Sequence, residues 1–232
     1  MKIYGFQKTT LLDYPGHIAS TIFFGGCNFR CPYCHNSDLI IPLNQLPCIS
    51  EEEIFSHLKK RQQILDGVCI TGGEPTLQTD LDFFLEKIKK LGYKIKLDTN
   101  GSHPEVLKSL CEKNLLDYVA MDIKHAPSRY DEICNTQNFS IEPIMESVSF
   151  LLKGTISYEF RTTVAKELHT KEDFEQIGRW IAGANTYYLQ AYRESDQVLN
   201  PIFSSYTRRE LEQICSLLKK YLTHVEIRGI DE

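Results

Sequence analysis

The 232-residue sequence has no apolar run approaching the roughly 20 residues that cross a bilayer, which argues against a membrane-spanning helix. Positive charge is not in excess. Lys and Arg number 26 against 31 Asp and Glu, a formal net charge of −5, so nothing draws the chain as a whole toward nucleic acid. The opening residues Met1-Lys2-Ile3-Tyr4-Gly5-Phe6-Gln7 lack the basic stretch, long apolar core and small-residue cleavage site of a secretory signal. A cytoplasmic protein is expected, with neither membrane nor nucleic acid as partner. No low-complexity linker interrupts the chain. What remains, 42% hydrophobic and 25% charged, is ordinary globular composition.

Short apolar runs rich in β-branched residues alternate with longer amphipathic segments, the signature of βα units around a parallel sheet. Strands are predicted at 18–24, 67–71, 94–98, 118–122, 157–164, 186–191 and 224–228. Helix starts are legible where Ser50 precedes Glu53, Thr170 precedes Asp173 and Thr207 precedes Glu210, each a capping residue with an acid three positions on. Gly92 and Gly154 read as helix stops. Lys87, Lys89, Lys90 and Lys113 read as solvated helix faces. Together these predict one α/β domain over residues 1–232, with about six βα units and a last strand near 224–228 at a sheet edge.

In a reducing compartment, the spacing of the 8 cysteines says more than their number. Cys48, Cys69, Cys111, Cys134 and Cys215 are scattered singly, as small buried residues are. Cys27, Cys31 and Cys34 crowd into one loop. That loop admits four readings. Cys31-Pro32-Tyr33-Cys34 alone is a two-cysteine redox motif, which leaves Cys27 idle. Cys31 through His35 has the spacing for covalent haem attachment, a chemistry of exported proteins. Three cysteines with His35 can close a tetrahedral zinc site. Three thiolates can also hold an iron–sulfur cluster and leave one iron open to a ligand. Soft thiolates suit iron–sulfur and zinc alike, so ligand type does not decide.

Other segments fall at the ends of predicted strands. Gly72-Gly73-Glu74-Pro75 is by itself a tight turn opening a helix, and Asp98-Thr99-Asn100-Gly101 and Met121-Asp122-Ile123-Lys124 are by themselves turn chemistry or an edge charge. Arg161, inside a mostly apolar strand, requires a partner, and a buried salt bridge would satisfy it. Tyr187, Tyr188 and Tyr192 fit as core aromatics. In a parallel barrel the strand ends that carry these turns and the cysteine loop share one rim, where barrel enzymes place their active sites.

The C-x3-C-x2-C spacing, with Tyr33 before the last cysteine, resembles the signature of the radical S-adenosylmethionine (SAM) enzymes. Gly5-Phe6-Gln7, Leu12-Asp13-Tyr14-Pro15-Gly16 and Gly25-Gly26-Cys27 are similar to the activating proteins of anaerobic ribonucleoside-triphosphate reductase, and residues 10–16 are similar to the wider glycyl-radical activases. The resemblance covers essentially the whole chain. It implies a partial (β/α)6 TIM-like barrel, with a [4Fe-4S] cluster on Cys27, Cys31 and Cys34. No second cysteine cluster lies between Cys34 and Gly72, so one cluster is expected. By the same resemblance Asn36, Gly72, Gly73, Glu74, Asp98, Asn100, Lys124, Arg161 and Gln190 surround SAM, with Lys124 at its carboxylate and Gln190 and Tyr192 toward the adenine. Asp98, Thr99 and Asp122 would hold a monovalent cation beside it.

The implied reaction is reductive cleavage of SAM to methionine and a 5′-deoxyadenosyl radical, which takes hydrogen from a glycine of a partner protein. No protein acid, base or nucleophile is required. The partners would be a glycyl-radical enzyme, anaerobic ribonucleotide reductase above all, and flavodoxin or ferredoxin as electron donor. The open side of a six-unit barrel would admit the partner's loop. Two other functions compete: a radical SAM enzyme acting on a small molecule, and a zinc-stabilised interaction domain without catalysis.

Overall fold

The computed structural model of the protein describes residues 1–40, 47–194, 198 and 202–230. Its elements run β1 (Ile3–Thr10), β2 (Ala19–Phe24), α1 (Glu51–Lys60), β3 (Gly67–Gly72), α2 (Leu81–Lys90), β4 (Lys94–Thr99), α3 (Pro104–Glu112), β5 (Tyr118–Asp122), α4 (Tyr130–Cys134), α5 (Glu142–Leu151), β6 (Ser157–Val164), α6 (Lys171–Trp180), β7 (Tyr187–Ala191), α7 (Arg208–Leu218) and β8 (Val225–Arg228). This is an α/β fold with a mostly parallel sheet whose strand order is that of the sequence, β8 coming last. The seven predicted strands are present within about two residues of their expected ends. β1 is an addition. Only Ile3 and Thr10 of it are buried, and Gly5 and the exposed Gln7-Lys8-Thr9 break the apolar alternation that reveals a strand. Among the described residues no helix is long and apolar enough to cross a membrane.

The chain divides into two compact units, Met1–Asn28 with Asp38–Ala120, and Phe29–Ser37 with Met121–Glu232. In the first unit β1 pairs antiparallel with β2, and β2, β3 and β4 pair in parallel. Ile22, Phe24, Val68, Ile70, Ile95 and Leu97 are fully buried, as expected of parallel strands covered on both faces. Phe84 of α2 meets Phe24 edge to face at 5.8 Å. The Ser50 hydroxyl caps α1 by accepting the Glu53 N–H at 3.1 Å, and Gly92, at φ +88°, ends α2. The β2–β3 register has a consequence for function: Phe24 stands opposite Gly72, so the loop that begins the cysteine segment and the double-glycine turn leave the sheet level with each other.

In the second unit β6, β7 and β8 pair in parallel. Thr170 with Asp173 and Thr207 with Glu210 form reciprocal capping boxes on α6 and α7. Alternation along β6 puts Phe160, Thr162 and Val164 in the core, while Glu159, Arg161 and Thr163 share the other face with Tyr188 and Gln190 of β7 and Arg228 of β8. On that face Arg228 makes a two-pronged bond to the buried Glu159 at 2.7 and 3.0 Å, its guanidinium 3.2 Å above the Tyr188 ring.

Candidate functional site

In the first unit the site begins with two glycines whose backbone leaves no space for a Cβ. A Cβ on Gly73 would lie 2.0 Å from the Gly26 carbonyl oxygen, and one on Gly72, where φ is +117°, would lie 2.3 Å from the Phe24 carbonyl oxygen. Their close approach allows the Gly73 N–H to donate to Phe24 and the Glu74 N–H to donate to Gly26, both at 2.8 Å, one residue before Cys27. Sequence reasoning placed these glycines at SAM; their backbone shape is spent first on seating the cysteine loop.

Glu74 is fully buried. Its carboxylate accepts from the Thr76 N–H at 3.2 Å, the Thr76 hydroxyl at 2.5 Å, the Thr99 hydroxyl at 2.7 Å and the Asn100 N–H at 2.7 Å. Burial raises its pKa, and these donors offset only part of the rise. Asn100 continues the chain: its side-chain amide donates to Asn28 at 2.9 Å and lies 4.0 Å from Cys27 Sγ. Glu74 thus joins the β3 turn to the β4 turn, and the β4 turn reaches the first cysteine. Asp98 is ion-paired with Lys96, an almost wholly buried residue that sequence reasoning passed over. Alternation along β4 puts the two on one strand face, which is the signal that could have found it.

In the second unit Cys31 is buried, and burial pushes its thiol up to about 11, with the Lys124 charge pulling the other way. Cys34 is also raised by burial, opposed by the Asn36 N–H, which donates to it. A redox nucleophile needs a lowered thiol pKa, which burial of Cys31 and Cys34 opposes. A metal cluster removes the difficulty, because ligation displaces the thiol protons.

Asp122 receives Arg161 Nε at 2.5 Å and Lys124 Nζ at 2.8 Å. Burial opposes its ionisation, but the two cations outweigh burial and hold its carboxyl well below the usual range. The salt bridge expected of Arg161 is therefore present, and the triad carries a net positive charge suited to an anionic group. The Lys124 backbone is also fixed, its N–H donating to Tyr130 at 3.1 Å and its carbonyl accepting from His169 at 3.0 Å. Gln190 sits on β7 opposite Thr163. The Tyr33 and Tyr192 hydroxyls are buried with no hydrogen-bond partner among the described residues. Such groups cost free energy until something accepts or donates. Tyr192 adjoins the cysteine segment, its ring 5.8 Å from that of His35.

These features fit a thiolate-held cluster and a polar cofactor. The three cysteines are in no disulfide among the described residues, each has a donor or a cation near its sulfur, and two orphaned phenols await a polar ligand. The oxygens expected to hold a monovalent cation are engaged otherwise. Asp98 is taken by Lys96, Asp122 by Lys124 and Arg161, and the Thr99 hydroxyl donates to Glu74 while accepting the Gly101 N–H. His35, His103 and His125 bond to Arg193 O, to Thr76 and Ser102, and to Leu168 O.

Residues 21–181 match the family model of the radical SAM superfamily. A protein of Methanocaldococcus jannaschii inferred to be a glycyl-radical enzyme activating enzyme is 33% identical over 98% of this chain and 95% of its own length. Pyruvate formate-lyase-activating enzyme of Clostridium pasteurianum is 33% identical over 53% of this chain and 52% of its own. Among solved structures, Streptococcus suis SuiB bound to S-adenosylmethionine superposes with a TM-score of 0.69 at 13% identity, over 90% of this chain. This chain spans about half of SuiB, 52%, so that likeness speaks for the fold. Membership of the superfamily implies a [4Fe-4S] cluster and SAM. The chain belongs to the radical SAM superfamily and is a homologue of the glycyl-radical enzyme activating enzymes.

Proposed function

We propose that this protein installs the glycyl radical of an anaerobic ribonucleoside-triphosphate reductase. The observation that carries the activase reading is the 33% identity to an inferred glycyl-radical activase over 98% of the chain. The choice of partner rests on the sequence likeness of residues 5–7, 12–16 and 25–27. A protein substrate is also favoured by the turn after β1. There Thr10 Oγ1 accepts the Leu12 N–H at 3.2 Å and the Asp13 carboxylate accepts the Thr21 hydroxyl at 2.5 Å, which leaves Leu11 and Leu12 71% and 89% exposed. Paired exposed leucines are costly in water and suit a protein contact.

Cys27, Cys31 and Cys34 would hold the cluster through one thiolate each. Bound together, cluster and SAM supply one-electron cleavage of the sulfonium and an organic radical that takes hydrogen from a glycine α-carbon. The residues of this chain bind and orient. Lys124, with the positive charge it shares with Arg161 and Asp122, meets the SAM carboxylate. Gly72, Gly73, Asn36, Asp98 and Asn100 frame its methionyl end, and Gln190 and Tyr192 its adenine. Glu74 acts as a positioning residue, its carboxylate being filled by protein donors. A low-potential donor, flavodoxin or ferredoxin, delivers the electron.

The test is anaerobic reconstitution with the reductase and with a reductase whose radical-site glycine is replaced by alanine. A glycyl radical is expected by electron paramagnetic resonance with the first only, while SAM cleavage persists with both. A radical signal in the alanine protein overturns the substrate. SAM cleavage that responds to a small metabolite and to no glycyl-radical protein overturns the activase reading.

A further inference from the structure

We infer that Lys96 supplies, from within the chain, the positive charge expected of a bound monovalent cation, so that this protein binds SAM without sodium or potassium. Lys96 lies on β4 two residues before Asp98, on the same strand face, and its side chain is 2% exposed. A charged amine so buried is tolerated only with a counter-charge, and its ammonium is seated on the Asp98 carboxylate with Cys69 Sγ 3.8 Å away. An ammonium group has nearly the size and the charge of a potassium ion. Where a free cation would gather carboxylate and hydroxyl oxygens, a tethered one directs three N–H donors at them.

Taken one unit at a time, the oxygens that a cation would gather already have protein donors. In the first unit the Lys96 ammonium is paired with Asp98. In the second, Asp122 accepts from Lys124 on one oxygen and from Arg161 on the other. Thr99 has spent its proton on Glu74 and accepts the Gly101 N–H. A metal ion entering either group would meet like charge and would have to displace an ammonium or guanidinium held in place by the fold.

The experiment uses the cluster-loaded protein, anaerobic, at constant ionic strength in tetramethylammonium, sodium or potassium chloride. It reads the SAM dissociation constant by equilibrium dialysis and the thermal unfolding midpoint. Tetramethylammonium is too large to replace a coordinated cation. The unaltered protein should bind SAM equally in the three salts, within about twofold. Lys96→Met should lose about tenfold in tetramethylammonium and regain most of it, with its unfolding midpoint, in potassium or sodium. Lys96→Arg should behave as the parent does. A merely structural lysine would lower stability equally in all salts. The inference is overturned if the unaltered protein loses SAM affinity in tetramethylammonium, if Lys96→Met shows no salt preference, or if Lys96→Met stays unfolded in all three. No partner protein is needed, so a failed glycyl-radical assignment leaves this result intact.

Discussion

Glu74 accepts the main-chain N–H of Asn100 at 2.7 Å, across the 26 residues that separate the β3 turn from the β4 turn. Because the Asn100 side chain in turn stands beside Cys27, a buried carboxylate that touches no sulfur governs where the first cysteine sits. In this unit, the cysteine loop is held by backbone and amide contacts behind the thiol.

Replacing Glu74 by glutamine keeps its shape and turns an acceptor into a donor. One of the donors now shared between its two oxygens would then face an amide N–H in a fully buried site, at a cost of about 1–3 kcal/mol. Urea unfolding of the cluster-free Glu74→Gln protein should show that loss, and anaerobic loading should yield less iron. A loss below about 1 kcal/mol would mean that the carboxylate is not the hub described.

Gly73→Ala tests the seating of the cysteine loop. The new methyl would fall 2.0 Å from the Gly26 carbonyl, a backbone atom that cannot rotate away, so the loop must shift at a cost of about 2–3 kcal/mol. Gly92→Ala is the control: φ is +88° there and nothing lies within 4 Å, so only conformational strain of about 1–2 kcal/mol applies. Both variants should be less stable by urea unfolding. Only Gly73→Ala should also lose iron and labile sulfide.

The parts of this protein legible in its sequence are those with a short-range physical cause. Thr170 and Thr207 cap their helices because an acid follows at the third position, and Gly92 and Gly154 stop theirs by adopting positive φ. The buried parallel strands show as apolar runs. β1 was hidden because it buries only its two ends. Lys96 was passed over because a lysine in an amphipathic chain reads as surface, although strand alternation already sets it on the face of Asp98. Glu74 was readable as a turn residue. That its carboxylate would be filled by Thr76, Thr99 and Asn100 depends on how β3 and β4 come together.

Asn100→Leu should lower the reduction potential of the cluster. Its amide points at Cys27 Sγ from 4.0 Å, and a donor near a thiolate eases the extra negative charge that reduction brings. At that separation the bond is weak, so the expected shift is downward by no more than about 60 mV, the one-electron equivalent of about 1.4 kcal/mol. Potentiometric titration followed by electron paramagnetic resonance reads it directly. An unchanged or raised potential would detach Asn100 from the cluster.

His169 should make the protein sensitive to mild acid. The Ala165 N–H donates to its Nδ1 at 3.4 Å, so Nε2 carries the proton and donates to the Lys124 carbonyl at 3.0 Å; the imidazole is neutral and fully used. It stacks on His125 at 4.9 Å and on Phe174 at 5.7 Å. Burial lowers its pKa to about 4, and the neighbouring His125 adds to the effect. In the unfolded chain the same ring takes up its proton near pH 6.5. Between these values the unfolded state binds more protons than the folded one, so stability is complete above about pH 6.5 and declines as pH falls toward 4, by about 3 kcal/mol. His169→Gln should be less stable at neutral pH, having lost one of two bonds, yet its stability should fall less steeply from pH 7 to 4.5. Since His169 holds the backbone of Lys124, SAM affinity of the unaltered protein should weaken over the same range and that of the variant should start lower and vary less. Parallel stability profiles for the two proteins would show that the imidazole is not buried as a neutral ring and would remove this link between α6 and the Lys124 loop.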